Sequence, residues 1–543
     1  MPDPVVGTTS YGTTRLETRT RFDIRPQVFF PAVILIVAFV VLGALMPERL
    51  ASIFESVQAW ISDTLGWFYT LSVTIFLVFV VWLALSKHGK KRLGPDDARP
   101  DYGNFSWFAM LFSAGMGIGL MFFSVAEPMS HFAIDRPPGA GGESGSSAAA
   151  ADAMRYTFFH WGLHAWAIYI VVGLSLCYFA YRRGLPLALR SAFQPLLGDR
   201  IYRWPGDAID TLAIVGTLFG VATSLGIGAI QITGGLKYLT GITISLNWQI
   251  LLVIAITAVA TLSVVLGLRR GIRRLSLLNI VLAGALVVFV FIVGPTVFIL
   301  NGLAQNVGQY IQTLPELSLR TDMFTGGDWQ QTWTLFYWGW WISWSPFVGM
   351  FIARISRGRT VREFVAGVLL MPTFVTFLVL EVFGQTAFYS ELRGPGGILA
   401  ATEELPEQAL FALLDQYPIS AVTSGVAIVV IATFFITSSD SGSLVDDIHA
   451  SGGNPHPMRS TRVFWALAEG AVAATLLAIG GERGLQALQQ ASIASGVPLA
   501  VLLLGACWAL VRAFRREYDQ TFTESGAISE RQEAEPQRTA PQS

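Results

Sequence analysis

Tryptophans dominate one apolar segment of the chain. Four of them fall within seven residues, at Trp338, Trp340, Trp341 and Trp344, inside the segment rather than at its edge. Membrane tryptophans usually lie at the water boundary, where their N–H groups are solvated. At membrane depth an indole face can bind a quaternary ammonium group through the ring quadrupole. The run therefore predicts a cation-binding site, and tight packing of large rings is the alternative.

A second aromatic group lies upstream, in residues 157–180. On an ideal helix its three rings cover an arc of about 140°, and they are Trp161, Trp166 and Tyr169. These rings can complete a cage with Trp341, although core packing remains open. His160 and His164 point to the other side of the helix. They have no glutamate between them and no third ligand nearby in sequence, so we expect hydrogen bonding or packing rather than zinc binding.

Glycines interrupt another apolar segment at every second position, Gly115, Gly117 and Gly119. This spacing weakens a helix and lets the backbone approach a ligand, and irregular backbone at membrane depth is tolerated only beside a cavity. Close helix crossing is the alternative. The tryptophan run ends in Ser345-Pro346, and we expect a second interruption there. Paired interruptions in two halves are typical of a transporter's midplane site.

Hydroxyl groups cluster near the end of a third segment. Thr437, Ser438 and Ser441 follow Phe434 on one helix face, which suits Na⁺; the alternative is that they bond their own helix carbonyls. Asp440 is expected to face a loop. A small, polar stripe on residues 208–236 predicts either a cavity wall or a tight helix interface, and it comprises Thr217, Val221, Ser224, Gly228 and Gln231.

The composition indicates the fold class that positions these residues. Of 543 residues, 53% are hydrophobic and 13% are charged, against about 25% charged in soluble domains. We therefore predict an all-α polytopic membrane protein with twelve transmembrane helices. The predicted spans are 28–46, 67–86, 105–125, 157–180, 208–236, 248–268, 275–300, 330–353, 364–386, 417–438, 461–480 and 485–511.

The charge distribution predicts the orientation and the ends of the chain. Lys and Arg are concentrated in loops on one side, which places both termini in the cytoplasm. We expect a cytoplasmic arm over 1–26, a transporter domain over 27–511 and a short acidic tail over 512–543, disordered from Glu517 onward. Residues 301–328 are long enough for an amphipathic surface helix.

Several classes of protein are excluded. The two cysteines lie in predicted spans, which argues against a disulfide framework or a thiolate metal site. The chain has no hydrolase elbow, phosphate-binding loop or metal-ligand cluster, so we expect neither an enzyme nor a cofactor. Its basic residues are explained by topology, and we expect no nucleic-acid partner. Glu381 and Glu469 are candidate proton-relay acids without a partner in the sequence, and Glu127 is expected to bond a helix end or loop.

The joined motifs resemble the betaine/choline/carnitine transporter family. They are AGMGIG over 114–119, the 161–169 aromatics, WGWWISWSPFVGM over 338–350 with ARISRGR after it, and TSSDS over 437–441. The resemblance covers 28–511. It implies a LeuT-like fold in which helices 3–12 form two inverted five-helix repeats, a homotrimer, and a bacterial inner (plasma) membrane in contact with lipid.

The resemblance also implies roles for individual residues. Trp161, Trp166, Tyr169 and Trp341 would cage the substrate's ammonium group, beside the backbone of Gly115, Met116, Gly117 and Gly119. Trp340, Trp344 and Phe351 would line the cytoplasmic exit route. One Na⁺ would bind the backbone of Ser113, Met116 and Phe434 and the hydroxyls of Thr437 and Ser438. A second Na⁺ would use Thr217 and Phe347, but Val221 replaces the family's threonine there.

These roles predict a secondary active transporter that imports a compatible solute by Na⁺-coupled symport. Gly119 stands where relatives resembling proton-coupled choline carriers have an acid, so a zwitterion is favoured, and glycine betaine leads. Proton-coupled choline uptake and ion-independent carnitine/betaine exchange are the alternatives. A receptor or channel that senses ligands with the same cage is a third class.

Overall fold

The structure, a computed structural model, describes residues 24–115, 117–242, 245–266, 269–325 and 327–534. Within these ranges, side-chain positions are not described for 112–115, 269–273, 482 and 518–534. Met116, predicted to contact both substrate and Na⁺, lies outside the described residues. For Ser113 and Gly115 only the backbone is described.

Helices make up the regular structure of the described residues. In chain order they are α1 (Pro26–Leu45), α2 (Pro47–Leu85), α3 (Asn104–Gly115), α4 (Ile118–Met129), α5 (Ser147–Trp161), α6 (Leu163–Leu176), α7 (Gln194–Leu197), α8 (Trp204–Thr240), α9 (Leu246–Leu266), α10 (Arg269–Val293), α11 (Thr296–Ser318), α12 (Phe336–Ile355), α13 (Val361–Leu380), α14 (Thr386–Arg393), α15 (Ile398–Glu404), α16 (Ala409–Asp415), α17 (Ser420–Ala450), α18 (Arg459–Gly480) and α19 (Gly484–Ala534).

Ten helical stretches of the described chain are long and apolar enough to cross a membrane. The protein is therefore an all-helical, multi-pass membrane protein. The other two predicted spans, 105–125 and 330–353, are also helical, but the first is divided between α3 and α4 and the second is α12. The count of twelve and the inverted repeats stay predictions. The expected surface helix near 301–328 corresponds to α11.

The glycine-rich span is interrupted, as its sequence predicts. The helix α3 ends at Gly115, Gly117 has an extended backbone (φ −145°, ψ 178°), and α4 begins at Ile118. The next span is divided too, because Gly162 (φ −93°, ψ −139°) separates α5 from α6. A side chain at Gly162 would lie 2.7 Å from the Tyr310 hydroxyl. Only glycine fits this bend.

The expected interruption at Ser345-Pro346 is wrong. The helix α12 runs continuously from Phe336 to Ile355 with Pro346 inside it. Proline lacks the N–H that would bond the carbonyl four residues earlier, which belongs to Ile342. The Ser345 hydroxyl donates to that carbonyl instead, at 2.7 Å. The freed acceptor is satisfied locally, so the helix does not need to break.

One end of the bundle gathers the basic loops, and we call it the basic end. It includes the segments near Arg25, 86–104, 182–207, 356–362 and 451–462. Glu517, expected to begin the disordered tail, is held here: it accepts hydrogen bonds from the Tyr178 hydroxyl at 2.6 Å and from Arg182 at 2.8 Å. That expectation is wrong for Glu517 because partners distant in sequence bind it, and α19 continues to Ala534.

Candidate functional site

A cavity lies between α4, α5, α6, α8, α12, α13 and α17. Among the described residues that line it there is no Asp, Glu, Lys or Arg. They are Gly117, Ile118, Gly119, Leu120, Trp161, Ala165, Trp166, Tyr169, Ser224, Trp340, Trp341, Trp344, Thr376 and Ser438.

All four residues predicted as a cage line this cavity. The rings of Trp161 and Trp341 meet edge to face, with centroids 5.0 Å apart and planes at 70°. The rings of Trp166 and Tyr169 also meet edge to face, with centroids 5.5 Å apart and planes at 79°. The two pairs are in contact through Tyr169 and Trp341, whose ring centroids are 6.4 Å apart with planes at 75°. Rings at near right angles present several faces to one space, which is the arrangement that binds an ammonium group.

The bend at Gly162 helps to orient Trp341. A helix end leaves its last carbonyls without partners inside the helix, and α5 ends immediately before Gly162. The Trp341 Nε1 group donates to one of these carbonyls, that of His160, at 2.9 Å. The bend therefore supplies the acceptor that fixes this indole at the cavity wall.

Trp338 faces away from the cavity. Its ring packs against the rings of Phe159 and His164, with centroid distances of 5.2 and 5.5 Å. Ideal helix directions predict that the four tryptophans cannot all face one ligand. The structure agrees with this prediction: Trp340, Trp341 and Trp344 line the cavity, and Trp338 does not.

Trp340 and Trp344 lie closer to the cage than the resemblance implies. Trp340 stacks on Trp341 with centroids 4.6 Å apart and planes at 17°, and Trp344 stacks beyond them at 6.3 Å from Trp341. All three line the cavity. Long side chains lean along the helix axis, so the positions of their rings do not follow from Cβ directions alone.

A second cavity of about 670 Å³ extends toward the basic end, because it is lined by Phe351, near the loop end of α12. Gly117, Trp344 and Ser438 line both cavities. Of the expected exit residues, Trp344 and Phe351 line this space, whereas Trp340 is not among its described lining residues.

The predicted Na⁺ residues on α17 also line the second cavity. Phe434, Thr437 and Ser438 are all part of its wall. The Thr437 hydroxyl donates to the carbonyls of Thr433 and Phe434, at 3.0 and 3.2 Å, which is the back-bonded alternative. The oxygen can still accept a cation on its free side. The structure brings Ser438 beside Gly117, next to the helix break that carries the other predicted ligands.

The residues predicted for a second ion fit it incompletely. Thr217 is fully buried, and its hydroxyl has no hydrogen-bond partner. Phe347 lines the second cavity. Val221, one turn after Thr217, is fully buried and supplies no oxygen. A second Na⁺ would therefore lack one of the ligands implied by the resemblance.

The polar stripe on α8 forms part of a cavity wall and also a tight helix interface, the two alternatives that its sequence predicts. Ser224 lines the first cavity and accepts a hydrogen bond from Trp340 Nε1 at 3.3 Å. Gly228 instead permits close approach of Ile118, whose side chain would lie 3.1 Å from an added Cβ. Gln231 donates to the Met121 carbonyl at 3.0 Å. The stripe thus joins the cavity wall to the first turn of α4.

A buried carboxylate, Glu127, forms a hydrogen bond with Trp161, one of the four predicted cage residues. It accepts hydrogen bonds from Trp161 Nε1 at 2.8 Å and from the Tyr337 hydroxyl, and it pairs with His160 Nδ1 at 2.7 Å. It is fully buried. Its partners are the last two residues of α5 and Tyr337 of α12, so Glu127 bonds a helix end, as expected, and a second helix across the bundle, which was not expected.

Glu127 also approaches His131, and the ligand atoms of Glu127, His131 and His160 lie within 4.8 Å of one another. A metal ion would fit that spacing, but the carboxylate already satisfies three hydrogen-bond donors, so we interpret the group as a hydrogen-bond network. His164 bonds Ser318 Oγ at 2.9 Å. The two histidines of the i,i+4 pair therefore have separate partners.

Some cavity residues have no signal in the sequence. Thr376 of α13 lines the first cavity, and Ser276 and Asn279 of α10 line the second. They are few among the mainly apolar residues of these two helices. Only the packing of α10 and α13 against the other helices brings them to the cavities, so no local pattern identifies them.

Comparisons with known proteins agree with this arrangement. Residues 27–519 match the betaine/carnitine/choline transporter family. The chain is 46% identical over 501 residues to a glycine betaine transporter of Acinetobacter baylyi, covering 92% of this chain and 75% of the relative. It is 45% identical over 496 residues to the glycine betaine transporter OpuD of Bacillus subtilis, covering 90% and 94%.

An uncharacterised transporter of Mycobacterium tuberculosis is 49% identical over 494 residues, covering 91% of this chain and 83% of the relative. These similarities extend over the whole helical bundle, including both cavities. They suggest transport rather than catalysis. The chain therefore belongs to the betaine/carnitine/choline transporter family.

Proposed function

We propose that the protein imports a zwitterionic quaternary ammonium solute, glycine betaine first, by Na⁺-coupled symport with alternating access. The observation that carries this proposal is an uncharged cavity walled by Trp161, Trp166, Tyr169 and Trp341. Aromatic faces stabilise a cation without adding an opposite charge. A solute with no net charge suits such a cavity better than a net cation, because burying an uncompensated charge is costly.

Hydrogen-bond donors for the solute's carboxylate are present in the same cavity. The Tyr169 hydroxyl and Trp344 Nε1 are buried, and no described residue forms a hydrogen bond with either. The first turn of α4, from Gly117 to Leu120, also lines the cavity, and a helix N-terminus favours an anion. The names of the relatives from Acinetobacter and Bacillus support glycine betaine as the first candidate.

The coupling ion is proposed to bind between α17 and the break in the third span. Phe434, Thr437 and Ser438 offer oxygen atoms there, with the backbone of Ser113 and Met116 as the remaining ligands implied by the resemblance. Hydroxyl and carbonyl oxygens are hard ligands suited to Na⁺. Release would proceed through the second cavity past Trp344 and Phe351.

The direct test is uptake of radiolabelled glycine betaine into proteoliposomes. We expect accumulation above the outside concentration with an inward Na⁺ gradient, and competition by unlabelled zwitterions stronger than by choline. Uptake unaffected by removing the Na⁺ gradient would favour exchange. Uptake driven only by a proton gradient, with choline preferred, would favour the proton-coupled alternative. Binding without accumulation would indicate a receptor or channel.

Gly119→Ala is expected to raise the Kd for glycine betaine about tenfold. An added Cβ would clash with the Trp340 ring, and Trp340 stacks directly on Trp341. The displaced rings would reshape the cage. Titration of tryptophan fluorescence in purified protein measures the Kd. Gly425→Ala is the control, since no atom lies within 4 Å of a Cβ there; equal Kd values for the two variants would contradict the role of Gly119.

Thr437→Ala is expected to raise the Na⁺ concentration for half-maximal uptake at least fivefold. The free energy of unfolding should change little, because the hydroxyl bonds only carbonyls of its own helix. Na⁺ titration of uptake and thermal melting separate the two effects. Thr475→Ala removes a similarly back-bonded hydroxyl from α18 and should leave the Na⁺ dependence unchanged. An unchanged Na⁺ requirement in Thr437→Ala would count against this site.

We further propose that the basic end faces the cytoplasm, with both termini there, in a bacterial inner membrane. The concentration of Lys and Arg in its loops supports this orientation. Assembly as a homotrimer remains a prediction from the resemblance, and sedimentation of the detergent-solubilised protein tests it.

A further inference from the structure

Two buried carboxylates between α17 and α18 have oxygens without partners. Asp446 is 0% exposed, and neither of its carboxylate oxygens has a hydrogen-bond partner among the described residues. Glu469 is also 0% exposed. Its Oε2 accepts a hydrogen bond from the Ser439 hydroxyl at 2.8 Å, while its Oε1 has no partner in the part of the chain that the structure describes. Asp446 lies one turn after Gly442 on α17, and Gly442 packs against Glu469, so both carboxylates lie at the contact between α17 and α18. Like charges in a low-dielectric interior repel strongly, so the pair cannot stay fully ionised without a bound cation or proton.

Nearby cationic groups are engaged by other acids. Arg462 of α18 pairs with Asp440 at 2.8 Å, and Arg190 pairs with Asp210 of α8 at 2.5 Å. His449 of α17 lies 3.7 Å from the same Asp210 carboxylate. The remaining acidic neighbours are Asp447, which accepts from Thr461 at 2.9 Å, and Asp207, which pairs with Arg25 at 2.6 Å. None of these contacts places a cation directly on the Asp446–Glu469 pair.

Glu469 lies where α8, α17 and α18 meet. A Cβ added at Gly442 would be 2.5 Å from Glu469 Oε1 and 3.2 Å from Val221 Cγ2. The unpartnered oxygen and Val221, the α8 residue that lacks a hydroxyl, therefore both border Gly442. On α9, the contact with this part of α18 is the uncharged Thr257, packed against Gly470.

Ser439 connects the pair to the transport site. Its hydroxyl bonds Glu469, and the preceding residue, Ser438, lines both cavities. An ionised Glu469 accepts a hydrogen bond from the Ser439 hydroxyl, whereas a protonated Glu469 can itself donate one. The protonation state is thus transmitted to the turn of α17 that carries the proposed Na⁺ ligands.

We propose that Asp446 and Glu469 form a proton-binding site whose proton is the second coupling cation of this transporter. The inference rests on the proposed transport function. A proton from water on the outer side forms an O–H bond with one carboxylate oxygen of the pair. That bond breaks on the cytoplasmic side, and the proton returns to water there. No electrons are transferred.

Lumenal pH during uptake tests the site. Proteoliposomes loaded with pyranine receive glycine betaine under an inward Na⁺ gradient, with the membrane potential clamped by K⁺ and valinomycin. We expect the lumen to acidify together with betaine uptake and a protonophore to abolish the pH signal. An imposed acid-outside gradient at equal Na⁺ should also raise the initial uptake rate at least threefold. Both measurements use the unaltered protein.

Glu469→Gln and Asp446→Asn are expected to lose the acidification while still accumulating betaine in response to Na⁺. Glu391→Gln, at an acid that accepts hydrogen bonds from the backbone N–H groups of Ile398 and Leu399, is the control and should acidify normally. Na⁺-driven uptake without acidification in the unaltered protein would overturn the proton site and leave the proposed function intact. Loss of ²²Na⁺ uptake per betaine in Glu469→Gln, without a pH signal, would assign the site to Na⁺. Absence of betaine uptake would instead overturn the proposed function.

Discussion

Trp341→Ala is expected to raise the Kd for glycine betaine at least tenfold. Trp341 presents a ring to the cavity at nearly right angles to Trp161 and Tyr169. A cation–π contact contributes about 0.5–2 kcal/mol, and about 1.4 kcal/mol corresponds to a tenfold change in Kd. The variant also loses the hydrogen bond to the His160 carbonyl and the ring contacts with Trp161 and Trp340. Isothermal titration calorimetry on purified protein measures the change.

Trp338→Ala is the matched control for Trp341→Ala. Both residues lie in the same helix and are nearly fully buried, so each substitution leaves a cavity that costs about 3–5 kcal/mol of stability. Trp338 packs against Phe159 and His164 instead of lining the cavity. Its variant should melt at a lower temperature yet bind betaine with nearly the original Kd. Equal losses of affinity in the two variants would refute the specific role of Trp341.

Much of the helical framework could be predicted from hydropathy alone, because a membrane span needs a continuous apolar stretch of fixed length. The break near Gly117 also follows from local composition. The continuity of α12 at Pro346 does not follow from the rule that proline interrupts helices. It depends on one rotamer of Ser345, whose hydroxyl reaches the Ile342 carbonyl.

The sequence locates candidate site residues well where they are close along the chain, and less well where rings or spans must meet. Trp161, Trp166 and Tyr169 share a face of adjoining helices, and the structure brings them to one cavity. The stacking of Trp340 on Trp341 depends on side-chain rotamers. Glu127 meets its partners across three spans, and sequence spacing contains no information about such contacts.

Glu127→Ala is expected to weaken betaine binding about tenfold and to destabilise the protein. The substitution leaves Trp161 Nε1, the Tyr337 hydroxyl and His160 Nδ1 without their buried acceptor. Each unsatisfied buried group costs about 1–3 kcal/mol. Trp161 would no longer be held against the cavity, so the KM for uptake should rise more than the maximal rate falls.

Glu127→Gln separates the acceptor role of Glu127 from its bulk. An amide has the same shape but no charge. Its oxygen can take the position that accepts from Trp161 and Tyr337, with its NH₂ group toward His160 Nδ1, but these hydrogen bonds are weaker than those to a carboxylate. We therefore expect a threefold to tenfold rise in KM, measured as concentration-dependent uptake in proteoliposomes. Glu381→Gln changes a buried acid that does not line either cavity, and it should leave KM unchanged. A normal KM in Glu127→Gln would show that the orientation of Trp161 does not depend on this carboxylate, and the cage would then be held by α12 and the bend at Gly162 alone.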